Sequence, residues 1–166
     1  MRDDTHPSLQ ERLTGPIVLW PILAIGCALA LITLSADALY EPSGWLALLL
    51  VPAGIYWLGM VGGAMRVFRT PHRSVSGIDR LVTTGPYARV RHPMYTAHVS
   101  LATTLAVVFP STWFVVAMLW IVLVLIVWIR IEEHALVRKF GDAYREYQQR
   151  VPMVIPRWFD RESVQQ

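Results

Sequence analysis

The chain has 166 residues, of which 54% are hydrophobic and only 16% are charged, with a formal net charge of +3 and one cysteine. Soluble domains carry about 25% charged residues, so this composition indicates a membrane protein. The lone Cys27 lies within an apolar run, which excludes disulfides and cysteine-based metal sites.

Four apolar stretches follow a polar segment of 15 residues, and we predict membrane spans over about 16–36, 44–67, 94–109 and 112–129. A spanning helix needs about 20 apolar residues, which the first two stretches supply. The last two are shorter and are separated only by Pro110-Ser111, which predicts a tight helical hairpin. A cleaved secretory signal is the other interpretation of the first stretch, but that stretch is long and its leading segment is not clearly basic.

The basic residues predict how these spans are oriented. Of the 15 lysines and arginines, two precede the first span, six lie between the second and third (with Arg66 at the boundary of the second), and seven follow the fourth. The two remaining loops contain none. Basic residues in short loops stay on the cytoplasmic side of a membrane. We therefore expect an integral protein of a bacterial inner membrane with both termini in the cytoplasm.

The segment after the fourth span changes in character. Residues 131–150 are charged on one side and carry apolar residues at helical spacing on the other, namely Leu136, Phe140, Tyr144, Tyr147 and Val151. Gly141-Asp142 is a candidate break, since Gly ends helices and Asp caps them. The predicted fold is therefore all-α: one polytopic membrane domain (1–166) with a cytoplasmic loop (68–93), to which the family resemblance described below assigns cofactor binding, and a C-terminal amphipathic helical segment (130–156).

Two pairs of small residues within the first two spans are candidates for helix contacts. They are Gly26-x-x-x-Ala30 and Gly59-x-x-x-Gly63. Small residues at this spacing let membrane helices approach closely. The same spacing also arises by chance, because glycine and alanine are frequent in spans.

The stretch Gly85–Tyr95 (GPYARVRHPMY) carries the candidate site. Pro93 suits the first position of a helix, and the free N–H groups of the next turn, beside Arg91 and His92, form an anion site. The hairpin would bring this turn next to the end of the fourth span. A ligand with both a carboxylate and an ammonium would then find partners among Arg91, His92, Tyr95, Arg130, Glu132 and Glu133.

His98 lies one turn further along the same helix face. Its near-neutral pKa suits a proton acceptor for the nucleophile of a substrate. The alternative is a packing residue bonded to Thr104 or to a backbone carbonyl. No metal-ligand spacing or phosphate-binding glycine loop is present, and membrane orientation accounts for the basic loop without nucleic acid.

Three runs of sequence resemble the isoprenylcysteine carboxyl methyltransferase and phospholipid methyltransferase family. They are LVTTGPYARVRHPMY (81–95), EEHALVRKFGDAYREY (132–147) and Val151-Pro152. The resemblance spans roughly residues 72–156. It implies a multi-spanning membrane enzyme that transfers a methyl group from S-adenosylmethionine, giving S-adenosylhomocysteine, to a lipophilic acceptor from the bilayer. The oligomeric state is left open.

The resemblance also implies cofactor-binding residues in these runs. They are Leu81, Val82, Tyr87, His92, Pro93, Met94, Tyr95 and Glu132, with His72, Asp79 and Arg80 matching less closely. The carboxyl methyltransferases place a substrate-binding arginine just before the acidic block; here Trp128 aligns with it and Arg130 is the candidate replacement. Sterol reductases that bind NADPH carry a similar RHP-x-Y block, so a reductase is one alternative and a non-enzymatic membrane scaffold another.

Overall fold

The computed structural model describes residues 16–67 and 79–156, and its regular structure there is helical. The elements are α1 (Pro16–Thr33), a 3-10 helix (Gly44–Leu49) that runs into α2 (Leu50–Val67), a 3-10 turn (Gly85–Ala88), α3 (Pro93–Val108), α4 (Thr112–Phe140) and α5 (Asp142–Arg150). The all-α prediction is confirmed. Helix α3 begins at Pro93, as the sequence predicts.

Two helical stretches are long and apolar enough to cross a membrane, Gly44–Val67 and Thr112–Phe140. The apolar part of α1, Val18–Thr33, is shorter, and α3 has 16 residues. Large apolar side chains are exposed along α1, α2 and α4, as lipid contact requires. By length and composition the structure thus provides two candidate spans, and the four-span arrangement remains a prediction.

Helix α4 is longer than predicted. Its 29 residues continue from the fourth apolar stretch through Arg130 and the acidic pair to Phe140. No proline or glycine interrupts this segment, and its Arg, Glu, Ala and Leu residues favour helix. Gly141, with φ of 57°, ends α4, so the predicted break is present. Asp142 is the first residue of α5 and makes no side-chain cap.

The helices pack in the order α1, α4, α3, α2, and α5 packs against the end of α4. Two close contacts between these elements occur at glycine residues, which have no side chain to prevent them. A Cβ on Gly26 would lie 2.0 Å from the Trp120 indole, and a Cβ on Gly63 would lie 2.6 Å from Pro86 Cγ. Gly26 therefore lets α4 contact α1, and Gly63 seats the 3-10 turn on α2. Gly59 faces open space.

Three residues connect α3 to α4. The loop after α1 packs on this connection, where the Leu39 amide donates to the Pro110 carbonyl at 2.6 Å. At the opposite end of α3, Tyr95 and Val99 pack against Leu125 and Trp128 of α4. The first turn of α3 therefore lies beside the second half of α4, where the acidic pair is located.

Candidate functional site

Glu133 is the most highly connected side chain at this junction. Its Oε1 accepts from Arg91 Nε at 2.7 Å and from His92 Nε2 at 3.1 Å. Its Oε2 accepts from Gln148 Nε2 at 3.1 Å. Burial alone would raise the pKa of Glu133, but the hydrogen bonds and charges of His92 and Arg91 outweigh it and lower the pKa to about 2. Glu133 is thus an ionised hub that joins α3, α4 and α5.

Arg91 connects these elements through two of its three guanidinium nitrogens. Besides Glu133, its guanidinium donates to the carbonyls of Gln148 at 3.0 Å and Val151 at 2.5 Å. The sequence predicts Arg91 as an anion-binding group. In the structure, Nε and Nη1 of Arg91 donate to the protein and position the start of α3, and its role in anion binding stays a prediction.

The segment after α5 closes over the first turn of α3. The amides of Arg91 and His92 donate to the carbonyls of Pro152 and Met153, at 2.9 and 3.2 Å. Thr96 Oγ1 donates to the Val154 carbonyl at 3.0 Å. Sequence reasoning does not assign a role to this segment or to Thr96, and the Val151-Pro152 match is the only signal that points to it.

The first turn of α3 keeps part of the predicted anion site. The Thr96 amide makes the first bond within the helix, to the His92 carbonyl at 3.0 Å. The amides of Met94 and Tyr95 precede it and lie at the open helix end, which favours negative charge. Buried Pro93 begins this turn.

Glu132 differs from its neighbour. Its Oε2 is buried and has no hydrogen-bond partner within residues 16–67 and 79–156, and it lies 3.8 Å from His92 Nδ1. The Tyr95 side chain interacts with Glu132 and stacks on the His92 ring with centroids 5.7 Å apart. Burial raises the pKa of Tyr87, and the negative charge of Glu132 raises it further. A buried acceptor beside two phenols is suited to a ligand that donates hydrogen bonds.

The loop before α3 is packed onto the end of α4. Leu81 contacts the buried cluster of Ala135, Leu136, Tyr144 and Tyr147, and Val82 is half-buried. The Tyr147 hydroxyl donates to the Tyr87 carbonyl at 2.7 Å. Tyr147 thus fixes the 3-10 turn that carries Tyr87, and Tyr144, at helical spacing from it, belongs to the cluster that Leu81 contacts. His72 lies outside the described residues.

A cavity of about 350 Å³ adjoins this junction between α1, α3 and α4. Its lining is almost entirely apolar and includes Leu23, Leu101, Leu105, Ile121 and Leu125. Met94, Tyr95 and His98 line it as well. Two of the residues predicted to hold the cofactor, Met94 and Tyr95, therefore share this cavity with the candidate base.

The His98 ring has a defined orientation in this cavity. Its Nδ1 lies 2.6 Å from the Met94 carbonyl oxygen, which can only accept, so Nδ1 carries a proton. In the neutral ring, Nε2 then has the free lone pair. Trp20 and Trp57 contact the ring edge to face, with centroids at 5.4 and 5.8 Å.

Arg130 lies apart from this group. It is exposed and lines a groove on the outer side of α4, together with His134 and Arg138. Two residues correspond to about 200° around a helix, so a residue two positions before Glu132 faces nearly the opposite way. The structure thus brings together nine of the predicted residues and leaves Arg130 outside; the nine are Tyr87, Arg91, His92, Pro93, Met94, Tyr95, His98, Glu132 and Glu133.

A comparison with protein-family models shows which family the chain belongs to. The model described as phospholipid methyltransferase matches residues 43–143, which include α2, α3 and the whole of α4. The chain belongs to the phospholipid methyltransferase family. No curated protein matches the chain.

Membership of the phospholipid methyltransferase family agrees with the resemblance found in the sequence. It supports a methyltransferase and, with the apolar helices, association with a membrane. The matched range contains His92, Tyr95, His98 and both acidic residues. Helix α1 and the segment after α5, which complete the cavity and cover α3, lie outside it.

Proposed function

We propose that the protein transfers a methyl group from S-adenosylmethionine to a lipophilic acceptor that enters from the bilayer. The observation that carries the proposal is Oε2 of Glu132, a buried oxygen that accepts no hydrogen bond from the described residues. It lies near a cavity lined by apolar side chains. A polar binding position and an apolar one thus adjoin each other at Tyr95.

The residues around Glu132 fit S-adenosylmethionine. Glu132 would accept from its ammonium or ribose hydroxyls. The open amides of Met94 and Tyr95 suit its carboxylate, and the faces of Tyr87 and Tyr95 suit its positive sulfonium. When bound, S-adenosylmethionine supplies a methyl group on a good leaving group.

Arg91, His92 and Glu133 are positioning residues in this proposal. Their mutual hydrogen bonds hold the first turn of α3 against α4, and the carbonyls of Pro152 and Met153 bind the backbone of that turn. Methyl transfer depends mainly on alignment of the reacting groups and exclusion of water. Rigid support of the cofactor site is therefore the main contribution of this network.

The cavity would hold the apolar part of the acceptor, with the reactive group next to His98. Its volume of about 350 Å³ is at the lower end of the range for small-molecule sites. An amine, hydroxyl or thiol acceptor must lose a proton, which His98 Nε2 is oriented to accept. A carboxylate acceptor needs no base.

We further propose that the protein crosses the bacterial inner membrane four times, with the hairpin of α3 and α4 as the last two spans and both termini in the cytoplasm. The distribution of basic residues supports this arrangement. The candidate site then lies at the cytoplasmic boundary, where a water-soluble cofactor and a bilayer acceptor can meet.

The test is a transfer assay with methyl-labelled S-adenosylmethionine, detergent-purified protein and a lipid extract. We expect label in the organic phase with the wild type and with Arg66→Gln, an exposed arginine at the end of α2, but not with Glu132→Gln. Thermal stabilisation by NADPH and not by S-adenosylhomocysteine would instead support the reductase alternative. If neither ligand binds and Glu132→Gln changes nothing, the protein is a scaffold.

A further inference from the structure

The outer groove of α4 is a second feature that the methyl-transfer proposal does not use. It is lined by one side of α4 and by Gln148 of α5. The groove lies on the opposite side of α4 from the cavity, because Leu125 and Ile121 line the cavity whereas Val127 and Arg130 line the groove.

The exposed face of α4 changes from apolar to basic along its length. Leu119, Leu123 and Val127 are exposed apolar residues at four-residue spacing. Arg130, His134 and Arg138 continue the same face and are also exposed. Each step of four residues advances about 6 Å. In the four-span arrangement proposed above, on which this inference rests, the apolar part lies at membrane depth and the basic part at the cytoplasmic boundary.

The Arg130 guanidinium at the basic end is available to a ligand. No hydrogen bond or ion pair within the described parts of the chain engages the Arg130 guanidinium. His134 donates Nδ1 to the Arg130 carbonyl at 2.6 Å, which leaves Nε2 for another partner. Glu133 also lines the groove, but its carboxylate is paired with Arg91 and hydrogen-bonded to His92.

We infer that this groove binds one anionic phospholipid of the cytoplasmic leaflet. The phosphate would bind Arg130, and the exposed Arg138 would add positive charge beside it. The acyl chains would lie along Val127, Leu123 and Leu119. Basic pockets at the cytoplasmic end of membrane helices bind anionic headgroups, and each basic residue near the surface contributes to that attraction. The basic end of this face and its apolar part follow each other along α4 in the same order as the phosphate and the acyl chains of a phospholipid.

The test is native mass spectrometry of the detergent-purified full chain titrated with dioleoyl phosphatidylglycerol or dioleoyl phosphatidylcholine. We expect the wild type to retain phosphatidylglycerol in preference to phosphatidylcholine. The double variant Arg130→Gln/Arg138→Gln should bind phosphatidylglycerol at least about tenfold more weakly than the wild type. Arg66→Gln, which removes an exposed boundary arginine from α2, should bind it like the wild type.

Three outcomes would overturn the inference: equal retention of the two lipids, an equal loss in Arg66→Gln, or displacement of the lipid by millimolar inorganic phosphate. The last would indicate a site for soluble phosphate. Helical circular dichroism and a single gel-filtration peak check that the double variant is folded. Methyl transfer is not a readout here, so this experiment can fail or succeed independently of the proposed enzyme activity.

Discussion

The two adjacent glutamates of α4 have different environments and therefore different expected roles. Glu133 accepts hydrogen bonds at 3.1 Å or less from Arg91 and His92, which directly precede α3, and from Gln148 of α5. Glu132 has a buried oxygen without such a bond in the described segments. We assign the first to positioning and the second to ligand binding.

Glu133→Gln should destabilise the protein by about 3 kcal/mol at neutral pH, because it leaves Arg91 buried without its negative partner. The measurement is unfolding in detergent, with exposed Glu146→Gln as the control. A variant as stable as the wild type would contradict the role assigned to Glu133.

The same residue predicts how stability depends on pH. The pKa of Glu133 is lowered from 4.5 to about 2 in the folded protein. A lowered pKa contributes stability above the unfolded value, and the contribution is lost as pH falls through the folded value. The midpoint of thermal unfolding should therefore fall between pH 4.5 and about 2 more steeply in the wild type than in Glu133→Gln. Parallel curves would contradict this prediction.

His98→Ala should lower turnover about 100-fold with little change in affinity for the cofactor, since a general base contributes about this much. The measurements are kcat for labelled methyl transfer and the Kd for S-adenosylhomocysteine. Thr103→Ala, an exposed position of the same helix that does not line the cavity, is the control. Unchanged turnover in His98→Ala would make this histidine a packing residue.

At the scale of elements, the site depends on how the 3-10 turn Gly85–Ala88 is seated on α2. This turn carries Tyr87 and contacts α2 where Gly63 leaves room for Pro86. Its other side is held by the hydrogen bond from Tyr147 to the Tyr87 carbonyl. A small displacement of the turn should therefore be detected as weaker cofactor binding.

Gly63→Ala should weaken binding of S-adenosylhomocysteine, because the new Cβ would lie 2.6 Å from Pro86 Cγ and would shift the turn. Gly59→Ala is a matched control one helical turn away that faces open space, and it should bind like the wild type. Isothermal titration of both variants is the measurement. Equal affinities would show that the seating of the turn does not control the site.

At the scale of the whole molecule, much of the architecture follows from local sequence signals. The apolar stretches and Pro93 predict where helices lie and where α3 begins, since both depend on residues close in the chain. The short α3–α4 connection predicts that His92 and the acidic pair come together, and they lie 3.1 Å apart at their nearest atoms.

The remaining features depend on helix rotation and on distant backbone. Sequence position alone does not show that Glu133 faces Arg91 while Arg130 points outward. The carbonyls of Pro152, Met153 and Val154 bind α3 through backbone atoms, and backbone acceptors have no residue signature. For these reasons the sequence predicts Arg91 as a ligand-binding group, although Nε and Nη1 of its guanidinium donate hydrogen bonds within the protein.

The four-span arrangement predicts which residues are accessible from outside the cell. In a Cys27→Ser background, a cysteine placed by Glu41→Cys should react with a membrane-impermeant maleimide in intact cells. A cysteine placed by Arg89→Cys should react only after the membrane is permeabilised. Labelling of both positions from the same side would contradict the proposed topology.

The central claim is that Glu132, held beside His92 by the packing of α3 on α4, binds S-adenosylmethionine. Isothermal titration of S-adenosylhomocysteine into detergent-purified protein tests it most directly. We predict binding to the wild type and to Arg66→Gln, and at least about tenfold weaker binding to Glu132→Gln, equivalent to about 1.4 kcal/mol. Equal affinity of all three proteins, or no binding to the wild type, would contradict the account.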